Sequence, residues 1–313
     1  MSTHLAVDVG ATNTRALVAD GDLTVRCRVS GKTEQGPTAS AFVEGVQRVV
    51  REAMADADVA PETVDSVGVA SFGPLDVETG RIVKAANVDV DLRDVPLVAG
   101  VREVVPDTPV GLINDAAAGA IAEHRAGAAE NVVYLTLSSG IGAGVVVDGQ
   151  LLHGGSGNAA EVGHFTLEPD SDRACGCGSF GHWEAFASGE NIPEYAAELR
   201  GELDATSSLP ERSSLTAAAV FDAYGRDPLA TAVVDRTTTW NVLGVANTVH
   251  AFAPERVAIG GALALNNEGL VVDRIRDRID DHLMIPKPEI HATTFGERAV
   301  IRGALLHATE MTE

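Results

Sequence analysis

Two stretches of the chain repeat one pattern of apolar and small residues. Residues 5–23 and residues 133–151 each read as an apolar strand, a turn of small residues, a second apolar strand and an Asp-Gly pair. At a constant offset of 128 residues, Asp20-Gly21 falls on Asp148-Gly149. An Asp-Gly pair between apolar runs is typical of a β-hairpin, because both residues tolerate positive φ. The pattern predicts one strand–loop–strand unit that occurs twice, about one domain apart.

The first turn of each copy is rich in small and hydroxyl-bearing residues. The two turns are Gly10-Ala11-Thr12-Asn13-Thr14 and Ser138-Ser139-Gly140-Ile141-Gly142. Glycine lets a phosphate approach the backbone, and exposed N–H and hydroxyl groups donate hydrogen bonds to it. Neither turn is a Walker A loop, which needs Gly-Lys-Ser/Thr before a helix, or a dinucleotide fingerprint, which a helix follows. Two such loops facing each other predict a polyphosphate held between two domains.

Strands and helices alternate along the rest of the chain, which favours an α/β protein. Apolar positions over residues 41–56 follow a helical period. A strand over residues 110–113 runs into Asn114-Asp115 and an alanine-rich helix, so that Asp115 alone fits a plain N-cap as well as a functional carboxylate. A strand over residues 256–259 ends in Gly260-Gly261, which suits close approach of a ligand at a helix entry.

The sharpest local signal is a set of four residues that ligate metals, namely His164, Cys175, Cys177 and His182. Two thiolates and two imidazoles match a closed tetrahedral zinc site, and the glycines among them let the chain wrap around an ion. The site is predicted to be structural, because four protein ligands leave no open position. The alternative is a glycine-rich loop with two incidental cysteines. Glu161 and Glu184 flank the set, and as hard ligands they are predicted to hydrogen-bond a polyol.

Composition narrows the classes of partner. The 313 residues include 45 acidic and 23 basic side chains, for a net charge of −22, and 45% are hydrophobic, which is enough for a sizeable core. The negative balance argues against nucleic acid and anionic membranes. We expect a cytoplasmic protein, because no signal peptide or membrane span is visible. The excess of acid, with only three lysines, favours adaptation to high salt over an ordinary acidic enzyme.

From Asp8 to about Gly303 the sequence resembles the ROK sugar kinases, and among them the ROK-type glucokinases. The matching motifs are Asp8-Val-Gly-Ala-Thr12, Asn114-Asp115, Ser138-Ser-Gly-Ile-Gly142, Glu161-Val-Gly-His164, the cluster from Cys175 to Glu184, and Gly260-Gly261. The resemblance implies the actin-like (ribonuclease H-like) ATPase fold, a duplicated two-domain α/β architecture with a deep cleft. We expect a smaller domain over residues 1–114, completed by a C-terminal helix over 299–313, and a larger one over 115–298 that carries the zinc loop.

The resemblance also implies a role for each matching position. Asp115 is the expected general base, and Asp8 would help to hold Mg²⁺. The expected sugar-binding positions are Gly73, Asn87, Asn114, Asp115, Glu161, His164 and Glu184. The expected nucleotide contacts, besides Asp8, are Gly10, Thr12, Ser139, Gly140, Gly260 and Gly261. The zinc ligands would be His164, Cys175, Cys177 and His182, with His164 also oriented toward the sugar.

This sequence departs from the family pattern at several positions. His182 stands where the family has a third cysteine, although the Cys-x-Cys-x4 spacing is intact. Ala160 replaces the usual glycine before Glu161, and Pro74-Leu75 replaces Pro-Gly in the sugar loop. Ala11 and Asn13-Thr14-Arg15 alter the first phosphate loop, and Ser138-Ser139 alters the second but keeps a hydroxyl. The Pro74-Leu75 departure can change which sugar is preferred, and the His182 departure decides whether the metal is retained.

The expected activity is ATP-dependent phosphorylation of the 6-hydroxyl of a hexose, most simply glucose, with Mg²⁺ and a structural Zn²⁺. Alternatives are a kinase for N-acetylmannosamine, N-acetylglucosamine, fructose or mannose, and a sugar-sensing ROK regulator. The regulator is disfavoured because the first strand begins at about residue 4, before which a helix-turn-helix has no room, and because the acidic charge opposes DNA binding. ADP or polyphosphate as the donor stays open. The family suggests a homodimer or homotetramer.

Overall fold

The computed structural model describes residues 2–36, 38–84, 92–203 and 206–312. The chain divides into two compact units. The first comprises Met1–Ala128, Gln150–Ala159 and Arg298–Glu313, and the second comprises Ala129–Gly149 and Ala160–Glu297. Among the described residues, no helix is both long enough and apolar enough to cross a bilayer.

A five-stranded sheet forms the centre of the first unit, in the order β3-β2-β1-β4-β8. Strands β1 and β2 are antiparallel, whereas β1, β4 and β8 run parallel. A smaller sheet of β5, β6 and β7 accompanies it. The elements are β1 Thr3–Val9, β2 Asn13–Asp20, β3 Val25–Lys32, α1 Ala39–Asp56, β4 Ser66–Ser71, β5 Leu75–Asp76, β6 Arg81–Lys84, β7 Arg93–Val95, α2 Leu97–Arg102, β8 Val110–Asn114, α3 Asp115–Arg125, and, farther along the chain, β11 Gln150–Leu151 and α10 Ala299–Glu310.

Both faces of this central sheet are covered by helices, which explains why every residue of β1 is buried. Leu5, Val7 and Val9 pack in one apolar cluster with α1, and Ala6 between them packs in a second cluster with α3 and α10. Gly68 and Gly303 let α10 lie close to its neighbours, since a Cβ at Gly303 would come 1.7 Å from the Ala118 carbonyl oxygen.

The second unit repeats this arrangement. Its strands β10, β9, β12 and β13 lie side by side in that order, with β10 and β9 antiparallel and the others parallel. One apolar cluster gathers the inward side chains of the sheet and the surrounding helices. The elements are β9 Val132–Leu137, β10 Ile141–Val147, α4 Trp183–Ala187, α5 Ile192–Leu203, α6 Ala217–Asp222, α7 Pro228–Phe252, β12 Arg256–Gly260, α8 Ala262–Asn266, α9 Glu268–Arg278 and β13 Glu289–Ala292.

The predicted repeat of two hairpins is confirmed, with one difference in register. Val9 pairs with Thr14 in the first copy, whereas Leu137 pairs with Ile141 in the second, so the first loop spans one more residue. The Asp-Gly turns also differ. Asp148 and Gly149 both adopt positive φ (49° and 72°), as the hairpin signal predicts, whereas Leu23 takes that conformation after β2. The helix predicted over residues 41–56 and the strand over 110–113 are confirmed as α1 and β8.

Candidate active site

The loop between β1 and β2, residues 10–12, has all three of its carbonyl oxygens engaged. Thr33 donates its hydroxyl to Gly10 O at 2.6 Å and its N–H to Thr12 O at 2.9 Å, and Gln35 Nε2 donates to Ala11 O at 2.9 Å. Carbonyl lone pairs repel phosphate oxygens, so bonding them elsewhere makes the loop more suitable for an anion. Thr33 and Gln35 carry no motif signal and were not predicted from the sequence.

Asp8 is the penultimate residue of β1, two positions before Gly10 of this loop, and is only 4% exposed. Arg15 on β2 donates to Asp8 Oδ2 at 3.0 Å. Burial raises the pKa of the Asp8 carboxyl, and Arg15 opposes that rise. The Arg15 that departs from the family pattern is therefore the charge partner of the expected magnesium ligand.

The junction between β8 and α3 separates the roles of Asn114 and Asp115. Asn114 is the N-cap of α3, because its Oδ1 accepts the N–H groups of Ala116 and Ala117 at 2.9 and 3.2 Å. Asp115 is the first helical residue, and its Oδ1 accepts the Ala116 N–H at 2.8 Å. The plain N-cap role considered for Asp115 thus belongs to Asn114, and Asp115 is an acidic residue of the first helical turn.

The predicted sugar loop at Gly73 is held by a side chain that sequence reasoning missed. Asn158 accepts the Leu75 N–H through Oδ1 and donates Nδ2 to Leu75 O, both at 2.8 Å. A Cβ at Gly73 would lie 3.6 Å from both Asn114 Nδ2 and Asn158 Oδ1, so the first unit brings Gly73 beside both amides. The contact between Asn158 and Leu75 spans 83 residues, and no local pattern signals it. The expected sugar ligand Asn87 lies outside the described residues.

The second predicted phosphate loop, residues 138–140, resembles the first in that all three of its carbonyl oxygens accept hydrogen bonds. Its three carbonyl oxygens accept N–H groups from Gly189 (2.7 Å to Ser138), Glu190 (3.1 Å to Ser139) and Ser138 (2.9 Å to Gly140). Residues outside the loop thus hold all three carbonyl groups of the first loop and two of the three in the second, where the bond from Ser138 to Gly140 is internal. The equivalence supports the sequence interpretation that the two loops have one role.

The Gly260-Gly261 pair has a packing reason as well as the predicted ligand role. A Cβ at Gly260 would come 2.3 Å from the Tyr134 hydroxyl, and one at Gly261 would come 2.4 Å from Leu137 O. Gly261 also has φ of 88° and is the N-cap of α8. The pair is required by the close approach of β12 and α8 to β9, whatever binds there.

The four predicted metal ligands converge in the second unit. One ligand atom from each of His164, Cys175, Cys177 and His182 lies within 4.8 Å of all the others. Sγ of Cys175 is 3.6 Å from Nδ1 of His164, and Sγ of Cys177 is 3.4 Å from Nδ1 of His182. Zinc bonds of about 2.0–2.3 Å in a tetrahedron place ligand atoms roughly 3.3–3.8 Å apart, and the two Cys–His separations lie in that range.

The backbone of the cysteine loop is a tight hairpin that turns at glycines. Cys175 N–H donates to Ser179 O at 2.8 Å, and Gly178 N–H donates back to Cys175 O at 2.9 Å. Gly178 and Gly181 have positive φ (96° and 66°), whereas Gly176 has open space around it and an ordinary φ. Two of the three glycines in the loop are therefore demanded by its geometry.

The electrostatics of the cluster suit a cation. Burial raises the pKa of the Cys175 thiol to about 12, so a thiolate there needs a positive charge such as a bound metal. Burial lowers the pKa of His182, which keeps the imidazole neutral, as a ligand must be. Burial also raises the pKa of Glu161, and Glu184 adds to that rise while His164 opposes it.

The two flanking carboxylates differ in their surroundings. Glu161 lies 3.9 Å from His164 Nε2 and follows Ala160, which adopts a φ of 63° that favours the glycine usual in the family. Glu184 accepts the Ile141 N–H through Oε2 at 2.8 Å, and its Oε1 lies 3.9 Å from Cys175 Sγ. Glu184 therefore contacts both Cys175, a predicted metal ligand, and the first residue of β10, which follows the predicted phosphate loop.

Comparison with known proteins decides the family. The ROK family model matches residues 4–310. The chain belongs to the ROK family. It is 35% identical to a glucokinase of Pyrobaculum calidifontis over 320 residues, which cover 100% of this chain and 97% of that relative. It is also 30% identical to an N-acetylmannosamine kinase of Haemophilus influenzae, over 96% of this chain and 93% of that relative.

Solved structures agree with the fold predicted from the resemblance. A ROK hexokinase from Thermus thermophilus superposes with a TM-score of 0.81 at 30% identity, covering 99% of both chains. A ROK glucokinase from Streptomyces griseus, solved with glucose and AMPPNP, gives a TM-score of 0.78 at 29% identity over 99% of this chain and 100% of that one. The predicted actin-like ATPase fold, with its repeated α/β units, is confirmed.

Proposed function

We propose that this ROK protein is a glucokinase that transfers the γ-phosphoryl group of ATP to the 6-hydroxyl of glucose. The observation that carries the proposal is the junction of β8 and α3. Asn114 supplies the cap of α3, and Asp115 beside it places a carboxylate in the first helical turn. Full-length similarity to glucokinases supports the choice of reaction and of sugar.

Asp115 acts as the general base in this proposal. The Ala116 N–H fixes one carboxylate oxygen at 2.8 Å and so restricts the orientation of the group. The carboxylate accepts the proton of the sugar 6-hydroxyl as the hydroxyl oxygen attacks the γ-phosphoryl group of ATP, and ADP leaves. Gly73, Asn114, Glu161, His164 and Glu184, with Asn87, are assigned to the other sugar contacts, because amides, carboxylates and an imidazole can each pair with a hydroxyl.

The two braced loops are assigned to the phosphates of the nucleotide. Thr12, Ser139 and Gly140 supply N–H groups or hydroxyls, and Gly10, whose own N–H donates to Asn13 O, leaves room for a phosphate. Gly260 and Gly261 allow close approach of the nucleotide at the entry to α8. A carboxylate oxygen is a ligand that Mg²⁺ accepts, so Asp8 fits a role in holding the ion, directly or through water. Mg²⁺, when bound with ATP, neutralises charge that develops on the phosphoryl group.

His164, Cys175, Cys177 and His182 are assigned to a structural Zn²⁺ in a Cys₂His₂ set. The distances among their ligand atoms and the neutral state of His182 support this assignment. The ion would fix the loop that carries His164 and Glu184. Purified protein should contain about one zinc per chain, and His182→Ala should lose it; full zinc occupancy in the variant would remove His182 from the ligand set.

A second candidate is an N-acetylmannosamine kinase, which the Haemophilus influenzae relative favours at 30% identity. The two candidates differ only in the shape of the sugar pocket, where Leu75 replaces the usual glycine. A homodimer or homotetramer acting on a free hexose in the cytoplasm, without nucleic acid or membrane, completes the proposal.

A coupled assay of sugar 6-phosphate formation tests the function, because this product forms whichever phosphoryl donor is used. Glucose, mannose, fructose, N-acetylglucosamine and N-acetylmannosamine are compared as acceptors with ATP and Mg²⁺, and ADP and polyphosphate are compared with ATP as donors. Glucose with ATP should give the highest kcat/KM. A higher kcat/KM for N-acetylmannosamine would establish the second candidate, and no turnover of any sugar would remove the enzymatic proposal.

A further inference from the structure

The loop at residues 138–140 is held by the segment that directly follows the metal cluster in the chain. Gly189 and Glu190, which donate to Ser138 O and Ser139 O, come two and three residues after the end of α4. Helix α4 begins immediately after His182, its N-cap residue and a metal ligand in the proposed set. One five-residue helix thus separates a metal ligand from the brace of a phosphate loop.

Ile141, the residue after the loop, is a second connection. Its N–H donates to Glu184 Oε2, and the other oxygen of that carboxylate faces Cys175 Sγ. The carbonyl oxygen of Ile141 packs against Gly163, since a Cβ at Gly163 would come 2.2 Å from that oxygen. Gly163 precedes His164 in the chain. The two segments that supply metal ligands therefore both contact the backbone of Ile141.

Helix α4 has little freedom to absorb a displacement between these points. Trp183 is fully buried, and its Nε1 donates to Asn241 Oδ1 at 2.9 Å. The indole ring lies directly on Gly244 of α7, where a Cβ would come 2.2 Å from the ring. Ser188, also fully buried, accepts from Asn191 and starts the bracing segment. Helix α4 is thus tightly packed at both ends, at Trp183 beside the metal ligand His182 and at Ser188 beside the bracing segment.

We propose that the metal cluster positions the phosphate loop at residues 138–140, with Glu184 and Gly189 as positioning residues. Metal binding then strengthens nucleotide binding directly, and not only sugar binding through His164. The inference rests on the proposed function, in which this loop contacts the nucleotide phosphates. The coupling needs no sugar, because every contact in it lies between the metal segments and the loop.

The first test compares two Gly→Ala variants. Gly189→Ala places a methyl group 2.7 Å from Ser138 O, whereas the same change at Gly201 in α5 meets nothing within 4 Å. Titration calorimetry measures the Kd of Mg²⁺–AMPPNP without sugar, the Kd of glucose alone, and zinc content. Gly189→Ala should weaken AMPPNP binding about tenfold or more while glucose Kd and zinc content stay within twofold, and Gly201→Ala should match the wild type in all three.

The second test removes the metal from the wild-type protein with a chelator and verifies retained secondary structure by circular dichroism. The Kd of AMPPNP without sugar should rise at least fivefold and return when Zn²⁺ is added. Unchanged AMPPNP affinity in the metal-free protein, or in a Gly189→Ala variant that still binds glucose normally, overturns the coupling. If the zinc-loaded wild type itself binds no AMPPNP, the proposed kinase function is wrong and the coupling is wrong as well. That outcome differs from normal AMPPNP binding that does not depend on zinc, which contradicts the coupling alone.

Discussion

At the residue scale, the candidate site depends on polar side chains that bond to backbone groups far away in sequence. Asn158 forms two hydrogen bonds with Leu75, and Thr33 and Gln35 hold the carbonyl groups of the first loop. These side chains are not assigned to the substrate, yet they determine where the Gly73 loop and the phosphate loop lie. Replacing Asn158 should therefore change mainly the KM for the sugar, and replacing Thr33 or Gln35 should change mainly the KM for ATP.

Replacing Asn158 with leucine should raise the KM for glucose about tenfold while the KM for ATP stays within twofold. The leucine is close in size but loses both bonds to Leu75, each of which contributes about 0.5–1.5 kcal/mol. Ser156→Ala is the matched control, because it removes only a contact between Ser156 and Asn158. Steady-state kinetics with each substrate varied decide the point; an equal rise in both KM values would mean a general loss of structure.

The sequence predicts the chemistry of single residues better than their partners. The spacing of Cys175, Cys177 and His182 favours their meeting, because the connections between them are short and glycine-rich. Ten residues without a glycine separate His164 from Cys175, so the convergence of His164 rests on the match of ligand types and not on chain geometry. It could not predict which of two adjacent good caps, Asn114 or Asp115, would cap α3, since both side chains suit that position. Nor could it predict the bond from Glu184 to Ile141, which joins residues 43 positions apart.

At the scale of elements, the hairpin repeat and helix α1 follow from periodicity, whereas the short segments do not. Apolar strands around Asp-Gly pairs predict β1-β2 and β9-β10, and the 3.6-residue period predicts α1. Strands β5–β7 contain only two to four residues each, too few for alternation to be visible. The segment Gln150–Ala159 clusters with the first unit through contacts such as Asn158 with Leu75, which no local pattern encodes.

The N-terminus of α7 provides a pH-dependent stability term. Asp227 is 4% exposed, caps Leu229 and Ala230, and also accepts hydrogen bonds from Ser207 and Ser208. Those hydrogen bonds outweigh the effect of burial and lower the pKa of Asp227 to about 2. With the folded pKa below the unfolded value of 3.8, this stabilisation is complete above pH 3.8 and is lost as the pH falls toward 2.

Asp227→Asn should therefore reduce the free energy of unfolding by about 2 kcal/mol at pH 7, and by progressively less as the pH falls from 4 to 3. Urea unfolding at fixed KCl measures the difference. Thr216→Ala removes the uncharged N-cap of α6 and should cost about 1 kcal/mol at every pH in that range. A pH-independent difference for Asp227→Asn would show that its charge does not contribute.

At the scale of the whole molecule, the net charge leads us to predict that stability and activity depend on salt concentration. The chain carries a net charge of −22 on 313 residues, and its few lysines leave arginine as the main partner of its carboxylates. Examples are the pairs of Arg274 with Asp235 and Arg200 with Glu211. Exposed pairs of this kind contribute little each, so they do not offset the excess of negative charge.

Melting temperature and activity should both rise as KCl increases from about 0.1 M into the molar range. Added salt shortens the Debye length from about 10 Å to about 3 Å and screens the repulsion among carboxylates. Thermal unfolding followed by circular dichroism, in KCl and in sodium chloride at equal ionic strength, measures the effect. A protein equally stable and equally active at both ends of the series would contradict adaptation to salt.

The proposed reaction depends most directly on Asp115, and one comparison tests it. The turnover of glucose with saturating ATP and Mg²⁺ is measured for the wild type and for Asp115→Asn, with glucose affinity checked by calorimetry. Asparagine keeps the size and hydrogen bonding of the side chain but cannot accept the proton of the 6-hydroxyl. We predict that kcat falls roughly 10²–10⁴-fold while the Kd for glucose changes by less than about threefold. A near-normal kcat in Asp115→Asn would contradict it.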